Sequence, residues 1–340
     1  MSAWNPPPAA GLKERLNQEF GTIEAKGWFT FPNLRDDSNF ILASDYSGEH
    51  EKPEFQVLAF LLTQSSSVFE SWEAARLAVR NKHLSDGRRM AFKALNESHR
   101  IRALREFLAA ASLLNGVLVC VGVEKSVSLS RRCQFPPLQH PWPPDVREKL
   151  LRICVFASSL VDGLKGEDRD LYWLTDDDAI VATENAKNDA ALLMGSMLHA
   201  SPTGNPTLHL GIGSGFDDGT RAEDLLSIPD LAAGAYSEML SKMGKANMPE
   251  HQVGRQPLDF AMQVKTMLIT AWRSDDARPL KHFDLLVREA GDGQLRLSPG
   301  RASFRLPRPD EPVPPQPEIK PKWEKVMTDW LKEINEEPPG

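Results

Sequence analysis

The 340-residue sequence has little cysteine, no long apolar run and no excess of basic residues, and each absence excludes a class of protein. Its three cysteines, Cys120, Cys133 and Cys154, include no C-x-x-C spacing and are too few for a disulfide framework, so we expect reduced thiols in a cytoplasmic protein. No apolar run reaches the roughly 20 residues that cross a bilayer. The Pro-rich N-terminus has neither a basic flank nor an apolar core, so we expect no secretion signal and no membrane partner.

The net charge is −7, from 40 basic and 47 acidic residues, which argues against a protein that coats nucleic acid nonspecifically. The charge is nevertheless uneven, because residues 76–105 carry nine basic and two acidic side chains. Such a patch favours binding to a phosphate backbone, whereas a solvated helix face explains the same residues without any partner. The six candidates for phosphate binding are Arg88, Arg89, Lys93, Arg100, Arg102 and Arg105.

The order of apolar patterns predicts an α/β fold with a mixed sheet flanked by helices on both faces. Apolar runs predict a first strand over 40–44, an antiparallel partner over 55–62 and a strand buried on both faces over 117–123. Shorter strands are predicted over 28–31 and 90–95. A helix capped by Ser98 and ended by Gly116 precedes the strand over 117–123, and helices and strands alternate after it.

The sequence divides into a main domain, over residues 25–245, and smaller attachments at both ends. Residues 1–24 form an N-terminal segment. Residues 250–305 predict a helix and a β-hairpin that turns at Gly291-Asp292-Gly293. Residues 306–340 predict a Pro-rich arm with a terminal helix, whose tryptophans dock either on this chain or on a protein partner.

Acidic residues at three places carry the functional prediction. Asp45 follows the first strand, Asp176 and Asp177 follow a later strand, and Asp230 lies near the start of a late helix. Each has an ordinary explanation too, as an Asx-turn at Asp45 or as a helix cap near Asp230, with Ser227 as the N-cap. Small residues after Asp230 let its helix approach the sheet, so the acids can converge at the strand ends. Converging carboxylates are typical ligands of Mg²⁺ or Mn²⁺, which activate water for phosphodiester hydrolysis.

Two of these acids lie in short motifs that resemble a known group. Asp45-Tyr46-Ser47-Gly48 and the segment 227–234, which reads S-I-P-D-L-A-A-G, resemble the D-E-S-G and Q-x-A-D-L-x-A-G motifs of ribonuclease H-like bacterial proteins. The resemblance covers about residues 38–240. It implies a ribonuclease H-like fold and a metal-dependent nuclease site, in which Asp45 and Asp230 are metal ligands and Asp176 or Asp177 is the intermediate one.

The chain also departs from those motifs. Tyr46 replaces the acid of the first motif, and Pro229 replaces the alanine before the late aspartate. Ala91 stands where the group often has a glutamate, which leaves Glu97 or Glu49 as the substitute ligand.

Two main hypotheses follow. The first is a divalent-metal-dependent nuclease that acts on RNA or DNA, with the carboxylates holding the metal and the basic segment holding the backbone. The alternative is a catalytically degenerate ribonuclease H-like module that binds protein or nucleic acid, suggested by the replaced acids and the tryptophan-bearing arm. A third hypothesis, an unrelated small-molecule hydrolase, lacks a G-x-S-x-G elbow and a His-rich metal motif.

Overall fold

Seven strands form one mixed sheet within the residues that the computed structural model describes, in the order β5-β4-β1-β2-β3-β6-β7. The described residues are 2–36, 39–48, 54–132, 136, 138–165, 169–199, 207–212, 219–245, 264–275, 277–291 and 293–300. The strands are β1 (Asn39–Ser47), β2 (Phe55–Gln64), β3 (Gly116–Glu124), β4 (Asp170–Thr175), β5 (Leu208–Ile212), β6 (Leu280–Glu289) and β7 (Leu295–Gly300).

Helices cover both faces of this sheet. They are α1 (Gly11–Ala25), α2 (Ser65–Ser67), α3 (Glu73–His83), α4 (Ser98–Ala111), α5 (Pro144–Leu164), α6 (Glu184–His199), α7 (Gly219–Lys245) and α8 (Val264–Arg273). A π-helical turn, Val68–Trp72, joins α2 to α3, and short 3-10 turns form at Phe92–Ala94 and Ala179–Val181. None of the helices within the described ranges has the length and apolarity to cross a bilayer.

The strand directions make the sheet mixed. β1, β2 and β3 run antiparallel in sequence, and β4 and β5 then add in parallel beside β1. On the other side β6 lies parallel to β3, and β7 folds back antiparallel on β6. The predicted fold class, an α/β mixed sheet flanked by helices with a C-terminal helix and hairpin, is therefore confirmed.

Alternation along β1 decides which side chains reach which face of the sheet. Phe40 and Leu42 pack in a cluster with α1, α5 and α6, whereas Ile41 and Ala43 pack in a second cluster with α3, α4, α7 and α8. Asp45 continues the second series, so its side chain lies on the α7 face of the sheet.

Two short strands predicted from the sequence are wrong. Residues 28–31 form no strand, because Phe29 and Phe31 pack instead into an aromatic cluster, with Phe29 4.8 Å from Phe31 and 5.2 Å from Phe283 between ring centroids. Residues 90–95 contain the 3-10 turn Phe92–Ala94. Packing of aromatic side chains outweighs local strand propensity at both places, because strand preference depends on neighbours that sequence alone does not supply.

Four predicted element ends are also wrong. Glu97 is the N-cap of α4 and makes no side-chain capping bond, and Gly116 opens β3 rather than ending the helix. Ser227 caps nothing, because it lies inside α7, where its hydroxyl donates to the Glu223 carbonyl 2.7 Å away. Asp45 does not follow its strand but lies within it, since pairing with β2 continues to Ser47.

Some predictions fall on residues outside the described ranges. These are Glu49 as a substitute ligand and the Pro-rich arm at 306–340. The domain boundaries stay a prediction, although β6 and β7 belong to the same sheet as the earlier strands.

Candidate functional site

Asp45 is a buried carboxylate on an otherwise apolar strand face. Its side chain is 6% exposed and points to the α7 side of the sheet, beyond Ala43. A buried carboxylate is costly, so this position needs a counter-charge or a proton.

Asp230 approaches the same place from α7, which packs over β1 and β2. Ala232 and Ala233 are fully buried in the core on that face, as expected for a helix that lies close to a sheet. The backbone N–H of Phe92 donates to Oδ2 of Asp230 at 2.8 Å. Asp230 therefore fixes the 3-10 turn to α7 and is not an N-cap.

Asp176 follows β4 and is paired with a cation. Nη1 of Arg89 donates to both of its carboxylate oxygens, at 2.8 and 2.9 Å. Asp177, the next residue, is exposed, and its backbone N–H donates to Oδ1 of Asp176 at 3.0 Å. The charge of Asp176, rather than that of Asp177, is the one that acts on Asp45 and Asp230.

Burial and neighbouring carboxylates raise the pKa values of Asp45 and Asp230. Burial raises the pKa of Asp45 well above its usual range, and the carboxylates of Asp230 and Asp176 raise it further. Burial also raises the pKa of Asp230, opposed by the Phe92 N–H and by the guanidinium of Arg89. Like charges gathered in a water-poor site produce this pattern, which a cation relieves.

These side chains line one polar cavity of about 440 Å³. Besides the three acids and Asp177, its lining includes the basic residues Arg89, Lys93 and Arg100. Nε of Arg89 is buried and has no hydrogen-bond acceptor among the described residues, while Nε of Arg100 donates to the Arg89 carbonyl at 2.6 Å. The cavity therefore combines carboxylates with cations, which suits a bound metal together with an anion.

The remaining predicted phosphate-binding residues do not line this cavity. Arg88 pairs with Asp86 and with Glu97, and Arg102 contacts the ring nitrogen of His99. Arg105 lies on α4 and is not in the lining either. The structure brings three of the six basic candidates to the acids and leaves three outside.

Tyr46, which replaces the acid of the first motif, lines the cavity and makes contacts of its own. The Tyr46 hydroxyl contacts those of Ser44 and Thr175, at 2.7 and 3.2 Å, and Lys149 lies over the Tyr46 ring. Lys149 also pairs with Asp178, whose side chain caps the following 3-10 turn. Glu97, a suggested substitute ligand, pairs with Arg88 and Arg100, outside the cavity lining.

Sequence reasoning missed the support around Phe92. Lys265 of α8 donates to the Phe92 carbonyl at 2.9 Å and lies 4.0 Å from the centre of its ring. Gly234 of α7 touches the same ring closely, since a Cβ there would lie under 3.0 Å from Phe92 carbons. No local signal marks Lys265, which is 173 residues from its partner.

The residues present suit a divalent cation in their chemistry, because carboxylate oxygens are the ligands that Mg²⁺ and Mn²⁺ prefer. Among the described residues, however, no three carboxylate, histidine or cysteine side chains stand close enough to hold a metal as they are. Asp45 and Asp230 are the two buried carboxylates that would be its main ligands, because Asp176 is already engaged by Arg89.

Comparison with known proteins gives a limited result. No protein-family model and no curated protein matches this sequence. Among solved structures, the chain is similar to the ribonuclease H2 of Pyrococcus horikoshii, with 12% sequence identity and a TM-score of 0.34, over 68% of this chain and 85% of that one. A likeness at this level transfers neither a residue role nor an activity, so membership of the ribonuclease H-like group stays a prediction.

Proposed function

We propose that this protein is a divalent-metal-dependent nuclease, which uses Mg²⁺ or Mn²⁺ to hydrolyse phosphodiester bonds. The observation that carries the proposal is the pair of carboxylates, Asp45 from β1 and Asp230 from α7, that line one polar cavity. Burying two like charges side by side is unfavourable unless a cation joins them.

The basic side chains of the cavity support a phosphate-bearing substrate. Arg89, Lys93 and Arg100 line it together with the acids. Guanidinium groups form strong charge-assisted hydrogen bonds with phosphate oxygens. Carboxylates for a metal and cations for a phosphodiester are the two parts that metal-assisted hydrolysis requires.

The roles divide as follows. Asp45 and Asp230 would hold the cation, with Asp176 beside them in the same cavity. Arg89, Lys93 and Arg100 would bind the phosphates of the substrate. When bound, the metal supplies an activated water and stabilises the negative charge on the leaving oxygen. The Phe92 N–H keeps Asp230 oriented throughout.

Mn²⁺ binding tests the proposal first, measured by calorimetry on wild type, Asp45→Asn and Asp230→Asn. Asp145→Asn is the control, because this exposed carboxylate lies in the first turn of α5, on the opposite face of the sheet. We expect binding in wild type and the control, and none in either site variant. Metal binding that survives both site substitutions would refute the site.

Cleavage tests the activity itself. We expect wild type to cut RNA or DNA only with Mg²⁺ or Mn²⁺, and Asp45→Asn to lose the activity. Cleavage by wild type in excess chelator would contradict the proposal, because it would need no metal.

A second candidate function has an observation in its favour. Asp176 is neutralised by Arg89, Asp230 is engaged by Phe92, and no metal cluster is assembled among the described residues. A catalytically degenerate module that binds nucleic acid or a protein would have these features. It predicts no Mn²⁺ binding in wild type, with partner or nucleic-acid binding unchanged in Asp45→Asn and Asp230→Asn. A protein partner held by the terminal arm would be lost on truncation after Arg305.

A further inference from the structure

A second cavity opens on the same face of the sheet as the carboxylates. It has a volume of about 540 Å³ and lies between the sheet, the turn that opens α3 and the start of α7. Its lining residues are Asn39, Ile41, Ser65, Val68, Phe69, Tyr172, Leu174, Arg221, Ala222 and Leu225. Mostly apolar walls with a few polar groups are typical of sites for small organic groups.

Two exposed aromatic rings line this groove. Phe69 is 56% exposed and belongs to the π-helical turn before α3. Such turns are rare and occur frequently at functional sites. Tyr172 of β4 is 36% exposed and stacks on His209 of β5, with ring centroids 4.7 Å apart and planes 13° from parallel. The stack fixes the Tyr172 ring upright beside the groove.

The polar groups of the groove suit a nucleotide. Arg221 lies over the Phe69 ring, 5.2 Å from its centre, and Glu73 holds its guanidinium there through hydrogen bonds of 3.1 and 3.0 Å. Asn39 and Ser65 add hydrogen-bonding groups to the lining. Aromatic rings for a base, with amide and hydroxyl groups for its edge, are the parts of a base-stacking site.

The groove and the carboxylate site are neighbours on the same face of the sheet. Leu174 lines the groove and Asp176 the site, two residues apart along the chain at the end of β4, or about 7 Å at 3.3 Å per residue. Ile41 and Asp45 are four residues apart along β1, or about 13 Å. These spacings correspond to about two to four nucleotides at a stacked spacing of 3.4 Å.

We propose that this groove binds one unpaired base of a single-stranded nucleic acid, within about four nucleotides of the phosphodiester at the carboxylates. The base lies between the ring faces of Phe69 and Tyr172 that Arg221 and His209 do not cover. The inference rests on the proposed function for the role of the neighbouring site. It adds that the substrate is single-stranded or locally opened, because a paired base is not available for stacking.

Binding without turnover tests the base site apart from catalysis. A short fluorescein-labelled single strand is titrated in chelator, with anisotropy as the readout. Phe69→Leu and Tyr172→Leu remove the rings, and we expect roughly 5- to 150-fold weaker binding from each. Phe69→Tyr and Tyr172→Phe keep the rings and should bind like wild type. Leu192→Ala, an exposed apolar residue on α6, controls for general loss of apolar surface.

A strand that carries 5-iodouridine gives a second readout, since it crosslinks to a stacked aromatic ring on irradiation. We expect the crosslink to map to Phe69 or Tyr172. Equal binding by wild type and both leucine variants, a crosslink that maps elsewhere, or stronger binding to the matched duplex would overturn the proposal. A groove filled by the terminal arm would also overturn it, with all proteins binding the strand equally weakly.

The outcomes separate this inference from the nuclease proposal. Ring-dependent binding in chelator without any metal-dependent cleavage would retain the base site and refute the nuclease. Metal-dependent cleavage that the leucine variants leave unchanged, together with unchanged binding, would retain the nuclease and refute the base site.

Discussion

Replacing Gly234 by alanine tests whether close packing between α7 and the Phe92 turn holds the candidate site in shape. A Cβ at residue 234 would lie under 3.0 Å from Cβ, Cγ and Cδ1 of Phe92. The Phe92 backbone cannot retreat freely, because its N–H is bonded to Asp230 and its carbonyl to Lys265. The clash is therefore with a segment that is fixed on both sides.

Two effects oppose each other in this variant. Alanine favours a helix over glycine by about 1 kcal/mol. Overpacking costs about 1–3 kcal/mol, and the upper half of that range applies because the neighbour is fixed. We therefore expect Gly234→Ala to lower the free energy of unfolding by about 1–2 kcal/mol, as the difference between these terms. The shift of Phe92 should also weaken Mn²⁺ binding through Asp230.

Urea unfolding gives the measurement, with Gly21→Ala as the matched control. Gly21 is also inside a helix, α1, but a Cβ there would meet only Trp4, at an ordinary 3.7 Å. The free energy of unfolding of the Gly21→Ala control should therefore rise by up to about 1 kcal/mol. In the double variant Gly234→Ala/Phe92→Ala the clash is gone. Its loss of unfolding free energy should therefore be smaller than the sum of the losses in the two single variants. A Gly234→Ala protein as stable as Gly21→Ala would refute this reasoning.

Two further predictions concern the anchoring of α7. Asp224 is fully buried and accepts hydrogen bonds from Arg76 and Arg80, so Asp224→Asn should cost about 3–5 kcal/mol of unfolding free energy in urea. Glu106→Gln, which changes an exposed carboxylate, should lower the free energy of unfolding by under about 1 kcal/mol. Equal losses in Asp224→Asn and Glu106→Gln would contradict this. Hydrogen bonds, above all from Arg76, lower the pKa of Glu73 from its usual 4.5 to about 2, so its stabilisation is complete above pH 4.5 and is lost as the pH falls towards 2. Glu73→Gln should flatten the unfolding free energy over that range, and an unchanged pH profile would exclude this role.

The main strands and helices could be predicted from sequence because apolar periodicity records burial directly. The continuous apolar run of β3 is one example, since both of its faces are covered. The ends of elements could not be predicted in this way. Ser227 has the local chemistry of a helix cap, yet α7 begins at Gly219 because tertiary packing extends it through the supposed start.

The partners of the site residues were beyond sequence reasoning. Asp45 and Asp230 were recognised as carboxylates near the sheet, but nothing local indicates that Arg89 pairs with Asp176, 87 residues away. The same holds for Lys265, which was predicted to belong to a separate extension. Ion pairs between distant segments leave no periodic trace, so only the folded arrangement reveals them.

One helix connects the features on which both proposals depend. α7 supplies Arg221 to the groove and Asp230 to the carboxylate site, and Asp224 anchors it to α3 between them. Because α7 runs from Gly219 to Lys245, with Pro229 inside it, one helix carries residues of both sites. A strand held in the groove would therefore reach the carboxylates at a fixed register, which a flexible connection could not provide. Rigid placement of a substrate relative to catalytic groups is a large part of what an active site contributes.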